Sequence, residues 1–160
     1  MLVYRIVHKK FSNALFAPGL PGRWNGAGRK VMYTAESIPL AFMENMIRRK
    51  GLGFNDDFRV MIIEVPDTLA VTEVDLSGLA AGWRDFLNYS ICQAVGNNWY
   101  DGGSTPVLKV PSAVMPTNFN YVIHTMHPHY KAVKLLTTSS LIPDDRIEDL
   151  LKNYKPASNT

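Results

Sequence analysis

Two charged residues in the first third of the chain have surroundings that suit chemistry better than packing. Arg23 lies between turn-forming residues and beside Trp24, where a guanidinium can be held stiffly. Glu44 follows the apolar run of residues 40–43, where a buried carboxylate is costly without a partner. A rigid arginine and a half-buried carboxylate are what an anionic, sugar-bearing substrate requires.

Each candidate residue also has an ordinary structural interpretation. Glu44 precedes Arg48 by one helical turn, and a surface pair between them would be worth only ~0.3–0.5 kcal/mol. Ser112 follows a predicted strand, where its hydroxyl either enters a cleft or bonds to the turn backbone. Arg5 interrupts the first strand, either as an outward charge at a sheet edge or as an inward group that reaches a ligand phosphate.

Length and composition predict one globular domain. The chain has 160 residues, of which 46% are hydrophobic and 19% are charged. We expect the domain to span residues 1–154 and residues 155–160 to form a frayed tail. The formal net charge of +3 favours anionic ligands or an acidic partner but is too small to indicate DNA binding by itself.

Several classes of protein and site are disfavoured. The single cysteine, Cys92, excludes an internal disulfide framework and fits a reducing cytoplasm. The first residues do not have the layout of a signal peptide, and no apolar run approaches the ~20 residues of a membrane helix. His127-Pro128-His129 has no acid or cysteine at ligand spacing, so we predict no metal site.

The predicted elements favour an α+β protein. The clearest strands are residues 2–7, 30–35, 58–65, 107–110, 118–124 and 132–137, and residues 71–76 are a weaker candidate. Helices are predicted from Ser37, as N-cap, to about residue 50, over residues 86–97, and from the cap at residues 143–145 to residue 151. Because about six short strands cluster instead of alternating with helices, we expect mainly antiparallel sheets with flanking helices.

An ordered set of motifs resembles the RES-domain family over most of the chain, from about residue 3 to residue 130. The motifs are Tyr4-Arg5, Gly22-Arg23-Trp24-Asn25, residues 31–37, residues 41–44, Gly82-Trp83-Arg84, residues 96–99, residues 110–113, Asn120-Tyr121 and His127-Pro128. The family is named for an arginine, a glutamate and a serine, which match Arg23, Glu44 and Ser112. The chain departs from the family pattern at Pro21 and at Thr125-Met126.

The resemblance implies an ADP-ribosyltransferase-like fold and the toxin of a bacterial toxin–antitoxin system. Such a toxin degrades NAD⁺ by cleaving the nicotinamide–ribose bond, by hydrolysis or phosphorolysis, and arrests growth. NAD⁺ is then a substrate, and no cofactor is expected. The implied catalytic residues are Arg23, Tyr33, Glu44 and Ser112, and the implied NAD⁺-binding residues are Arg5, Arg23, Trp24, Asn25, Tyr33 and Ser112.

The residue types fit that chemistry. Arg23, with Arg5, supplies planar forks for the phosphates. Tyr33 can stack on the nicotinamide ring. Glu44 can accept the ribose 2′-hydroxyl and stabilise the cationic ribose, as carboxylates do in glycoside cleavage, while Ser112 orients Glu44 or the ribose.

The partners and two other functions also follow as expectations. The resemblance implies an antitoxin with an Xre-type helix-turn-helix region, and a homodimer within that complex is compatible with it. No basic helix or aromatic platform suggests direct nucleic-acid binding. The alternatives are a mono-ADP-ribosyltransferase that modifies a protein and a non-catalytic binding module, and the acceptor remains open between water, phosphate and a protein side chain.

Overall fold

A single seven-stranded sheet forms the body of the molecule in the computed structural model, which describes residues 1–49, 56–147 and 149. The strands are β1 (Leu2–His8), β2 (Val31–Ala35), β3 (Phe58–Glu64), β4 (Val71–Glu73), β5 (Val107–Pro111), β6 (Phe119–His124) and β7 (Lys134–Ser140). Their order in the sheet is β4-β5-β6-β2-β1-β3-β7. Only the β4–β5 pairing is parallel, which confirms the predicted α+β class with a mainly antiparallel sheet.

The sheet is nearly divided at its centre. β1 pairs with β3 along its whole length but with β2 only at Tyr4–Ala35. Because the two strands are antiparallel, β1 continues towards His8 while β2 runs back towards Val31 without pairing. We call the opening between these two segments the sheet gap. It separates the group β4-β5-β6-β2 from the group β1-β3-β7.

Both long helices cover the same face of the sheet. α1 (Ile38–Arg48) begins at Ser37, whose side chain accepts a hydrogen bond from the Leu40 amide, as predicted from the N-cap pattern. α1 packs in one hydrophobic cluster with Ala35, and α2 (Ser90–Gly102) packs in another with Val31. Ala35 and Val31 lie four residues apart on β2 and therefore on one face.

α2 differs from its predicted range of residues 86–97. The side chains of Asp85 and Asn88 accept hydrogen bonds from the amides of Leu87 and Ser90, so residues 85–89 form turns and the helix begins later. Gly103, with φ of 58°, ends the helix, which therefore contains Trp99 instead of stopping before it. Cys92 is fully buried within α2, as expected of a packed thiol.

Smaller corrections concern the ends of the chain. β7 begins later than predicted because residues 128–132 form a 3₁₀ turn. Residues 145–147 are helical, but the end of the predicted C-terminal helix and the tail 155–160 lie outside the described residues, as does the predicted end of α1 at residues 51–53. No helix in the described part of the chain is both long and apolar enough to cross a membrane.

Candidate functional site

Glu44 is held by two side chains from distant parts of the sequence. Its Oε1 accepts hydrogen bonds from the Ser112 hydroxyl at 2.7 Å and from the Asn120 amide nitrogen at 2.6 Å. Among the described residues no donor contacts Oε2, and Glu44 forms no ion pair with Arg48. The interpretation of Glu44 as half of a surface ion pair with Arg48 is therefore wrong. We call Glu44, Ser112 and Asn120 the carboxylate cluster.

The sheet brings these three residues together. Val110 pairs with Asn120 across β5 and β6, so Ser112 follows β5 close to the start of β6. On β6, Asn120 alternates with Tyr121 and so projects to the same side as Val122, which packs beneath α2. α1 lies on that side too, and its second turn places the half-buried Glu44 against both donors.

The hydrogen bonds of Ser112 define what its hydroxyl can do. The side chain is fully buried, and Oγ accepts the amides of Val114 at 3.1 Å and Met115 at 3.0 Å. With its acceptor capacity used by the turn, the hydroxyl donates its one proton to Glu44. The interpretation of Ser112 as a turn hydroxyl is thus confirmed, and the added bond to Glu44 suits an orienting residue and not a nucleophile.

Tyr33 projects from β2 into the loop that carries Arg23. Its hydroxyl donates to Asn25 Oδ1 at 2.7 Å and accepts the amide of Trp24 at 2.8 Å. Burial raises the pKa of Tyr33, so the hydroxyl stays protonated at neutral pH. Gly22 permits this approach, since a Cβ there would lie 2.7 Å from the tyrosine oxygen.

Trp24 and Asn25 lie inside the protein. Their side chains are 2% and 0% exposed, and Trp24 packs against Trp83. The Asn25 amide donates to the carbonyls of Leu20 and Arg29, which closes the loop on itself. In this structure both residues support the loop, and their contact with NAD⁺ stays a prediction.

Arg23 is held by main-chain carbonyls. Nη1 donates to Trp83 at 2.6 Å and Asp85 at 3.2 Å, and Nη2 donates to Arg84 at 3.3 Å. The guanidinium carbon also lies 4.5 Å from the centre of the Tyr89 ring. We call residues 82–89 the 82–89 loop. Arg23 is as rigid as predicted, while its contact with a phosphate stays a prediction.

The 82–89 loop runs between Arg23 and the carboxylate cluster. The carbonyls of residues 83–85 bind the guanidinium, and from the middle of this segment the Arg84 Nε donates to the carbonyl of Ala113 at 2.9 Å. Ala113 directly follows Ser112. The loop therefore links the two charged residues that the sequence singled out.

Arg5 lies beside the sheet gap. β1 is an inner strand of the sheet, so the interpretation of Arg5 as an outward charge at a sheet edge is wrong. Arg5 alternates with Tyr4 and Ile6, which pack with α1, so its side chain starts from the opposite face of β1 and is not brought to the carboxylate cluster. Its Nη1 donates to the Phe16 carbonyl at 2.9 Å. Burial lowers the pKa of Arg5, and the nearby charge of Arg48 lowers it further. The same Arg48 charge opposes the rise in the pKa of Tyr33, so Arg48 lies within electrostatic reach of both groups.

Two residues of this region were not assigned to the site from the sequence. Asn120 belongs to the Asn120-Tyr121 motif, but a neutral amide gives no charge signal, and no local spacing connects it with Glu44. Arg48 was interpreted as a partner of Glu44, and its helical spacing was the only available signal. The structure pairs Glu44 with Ser112 and Asn120 and leaves Arg48 near Tyr33 and Arg5.

Comparison with known families decides the identity of the chain. The family model described as the RES domain matches residues 2–147. This chain belongs to the RES domain family. The resemblance seen in the motifs is confirmed, and the matched residues include Arg23, Glu44 and Ser112.

Relatives of this RES domain are named as toxins. "Toxin Res" of Pseudomonas putida is 34% identical over 128 residues, which cover 79% of this chain and 85% of the relative. The "Prs ADP-ribosylating toxin" of Sphingobium sp. is 32% identical over 128 residues, with coverage of 79% and 80%.

A solved structure supports the fold. The RES domain matches the crystal structure of the M. tuberculosis MbcT–MbcA toxin–antitoxin complex with a TM-score of 0.72 and 22% identity, covering 94% of this chain and 88% of that chain. The two chains therefore share one α+β fold over nearly their whole length.

Proposed function

We propose that this RES domain is the toxin of a toxin–antitoxin pair and that it cleaves the nicotinamide–ribose bond of NAD⁺. The carboxylate cluster carries the proposal. Glu44 presents a carboxylate with one oxygen held by two donors and the other without a donor among the described residues. A preorganised negative charge is the group that stabilises a developing cation best.

The proposed reaction is a dissociative substitution at the ribose carbon. The bond between this carbon and the nicotinamide nitrogen breaks, and its electron pair stays with nicotinamide, which leaves as a neutral molecule. The positive charge that remains on the ribose is stabilised by Glu44. Addition of water and loss of one proton then gives ADP-ribose, whereas addition of phosphate gives a phosphorylated ADP-ribose.

The other site residues have supporting roles in this proposal. Ser112 and Asn120 orient Glu44 through Oε1. Tyr33 contributes a ring for the nicotinamide, and its raised pKa keeps it neutral beside that cationic ring. Arg5, Arg23 and Arg48 supply positive charge for the pyrophosphate, which fits the net charge of +3.

Arg23 has a donor to spare for a ligand. A guanidinium carries five N–H groups, of which three are engaged with the 82–89 loop and a further one with the Cys92 thiol. We propose that the remaining one contacts NAD⁺ and that the loop carbonyls fix the plane of the fork.

A cognate antitoxin is part of the proposal. The matched MbcT structure is a toxin–antitoxin complex, and the P. putida relative is a toxin by name. We propose a partner with an Xre-type helix-turn-helix region, as the RES resemblance implies. Co-expression with the product of a neighbouring helix-turn-helix gene should restore growth and yield a stable complex.

A direct test is the fate of NAD⁺ with purified protein. We expect nicotinamide to be released, with ADP-ribose alone in phosphate-free buffer if water is the acceptor. A phosphorylated ADP-ribose that appears only with added phosphate would identify phosphorolysis. Intact NAD⁺ in both buffers, and with candidate acceptor proteins present, would refute the enzyme and leave the non-catalytic binding module.

Protein modification is the second candidate function. The Sphingobium relative is named as an ADP-ribosylating toxin of Prs, and it is 32% identical to this chain. Transfer of label from adenine-labelled NAD⁺ to a protein in lysate would favour it. In living cells, expression without a partner should arrest growth and lower NAD⁺, whereas arrest at a constant NAD⁺ level would favour protein modification.

A further inference from the structure

Asn120 is a neutral residue, and among the described residues its side chain makes one hydrogen bond, to the proposed catalytic carboxylate. Its amide nitrogen lies 2.6 Å from Glu44 Oε1, shorter than the 2.7 Å bond from Ser112 to the same oxygen. Hydrogen bonds to ionised acceptors are the stronger class. Asn120 is thus bound to Glu44 at least as closely as Ser112, the residue for which the family is named.

We infer that Asn120 is a positioning residue that, with Ser112, makes Oε2 of Glu44 the oxygen that faces the ribose. Two donors on one oxygen fix the plane of a carboxylate that could otherwise rotate about its last side-chain bond. Oε2 of Glu44 then has a fixed position before the substrate binds. This inference rests on the proposed function for its chemical consequence but not for the contact itself.

The backbone of Asn120 is suited to this task. It pairs with Val110 on one side and Ala35 on the other, so β6 is held by strands on both flanks at this residue. Glu44, in contrast, lies on a helix outside the sheet. The sheet therefore supplies the fixed reference, and Asn120 transmits it to the carboxylate. Preorganisation of this kind lowers the reorganisation needed during reaction.

A matched pair of residues stands nearby as a control. Asn118 donates to Glu36 at 2.6 Å, the same distance and the same chemistry as Asn120 to Glu44. Glu36 directly follows Ala35, which packs in the hydrophobic cluster of α1. The charge of Glu36 acts on Tyr121, which packs in a different hydrophobic cluster, with Val3 and Met32. Removal of Asn118 thus removes an equivalent bond outside the carboxylate cluster.

The test compares Asn120→Ala, Asn120→Leu and Asn118→Ala with the wild type. In both Asn120 variants we expect kcat to fall by up to ~10²-fold, the scale of a misplaced reacting group, with KM unchanged. Asn118→Ala should keep wild-type kcat and KM. Asn120→Leu keeps a similar side-chain shape without a donor or a charge, so it remains informative if the alanine variant folds poorly. Normal kcat in folded Asn120 variants, an effect confined to KM, or an equal loss in Asn118→Ala would overturn the inference.

A second measurement separates this inference from the proposed function. If the wild type leaves NAD⁺ intact, the proposed function fails, and the contact is then read from melting temperatures of Asn120→Ala, Glu44→Ala and the double variant, because each of the two single substitutions removes the shared hydrogen bond. Non-additive shifts are expected, because the two groups share one hydrogen bond. Additive shifts would overturn the positioning role whatever the protein does to NAD⁺.

Discussion

Glu44 and Arg23 are both held firmly, but by different kinds of groups. Glu44 is bound by side-chain donors, Ser112 and Asn120, whereas Arg23 is bound by the carbonyls of residues 83–85. The carboxylate therefore depends on which residues occupy two positions. The guanidinium depends on the positions of three backbone carbonyls, which most residue types at positions 83–85 would supply equally well. The two regions should respond differently to substitution.

The largest effect is expected at Glu44 itself. Glu44→Gln keeps an oxygen for Ser112 and Asn120 but removes the charge, so folding should survive. Turnover of NAD⁺ should fall by ~10²–10³-fold, the cost of removing one preorganised electrostatic group. NAD⁺ affinity should persist, because the proposed function assigns the phosphates and the nicotinamide to other residues. A folded Glu44→Gln variant with near-normal turnover would contradict the proposed mechanism.

Ser112→Ala should have the next largest effect. It removes one donor to Glu44 and also leaves the amides of Val114 and Met115 without their acceptor. We expect kcat to fall by ~10–10²-fold and the free energy of unfolding to fall by ~1–3 kcal/mol. Steady-state kinetics and denaturant unfolding measure the two effects. A stability loss without a kinetic loss would show that the serine serves the turn alone.

Arg23 tests the other half of the comparison. Lysine keeps the charge but cannot bind three consecutive carbonyls as a planar fork does, so Arg23→Lys should lose stability, by ~1–3 kcal/mol. Arg23→Ala should lose more, and it should weaken NAD⁺ binding more than lysine does. Denaturant unfolding measures the loss of stability, and calorimetric titration with NAD⁺ measures the loss of affinity in the Glu44→Gln background, where turnover is expected to be slow. Wild-type affinity in both variants would remove Arg23 from the binding site.

The smallest effect is expected at Arg84. Arg84→Ala keeps the carbonyl that binds Arg23 and removes only an exposed bond to the Ala113 carbonyl. Stability should change by no more than ~0.5 kcal/mol, as for most surface substitutions, and turnover should be normal. If this variant instead resembled Arg23→Ala, the side chains of the 82–89 loop would matter as much as its backbone, and the contrast with Glu44 would disappear.

Local patterns in the sequence predicted much of the fold. The Ser37 cap and the start of α1, β1 and the apolar run of β3 are all encoded within a few residues. The predicted start of α2 was wrong. The side chains of Asp85 and Asn88 accept hydrogen bonds from backbone amides in a segment whose apolar periodicity is typical of a helix. The sheet gap could not be foreseen, since it depends on which strands pair far apart in sequence.

The site shows the same limit. Arg23 and Glu44 could be named from their local surroundings and Ser112 from its place after a strand, and the family motifs then joined the three. The partners of Arg23 are backbone carbonyls, which leave no trace in the side-chain pattern. Asn120 carries no charge and lies 76 residues from Glu44, so nothing local predicts their contact. Long-range pairing, not residue type, decides these contacts.

The long separation within the carboxylate cluster also sets a time during synthesis. Ser112 and Asn120 follow Glu44 by 68 and 76 residues. At ~5–20 residues per second, a ribosome needs about 4–15 s to travel from Glu44 to Asn120. Throughout that interval the nascent chain carries its carboxylate without the two groups that orient it. The carboxylate cluster can therefore form only after three quarters of the chain has been made, at residue 120 of 160.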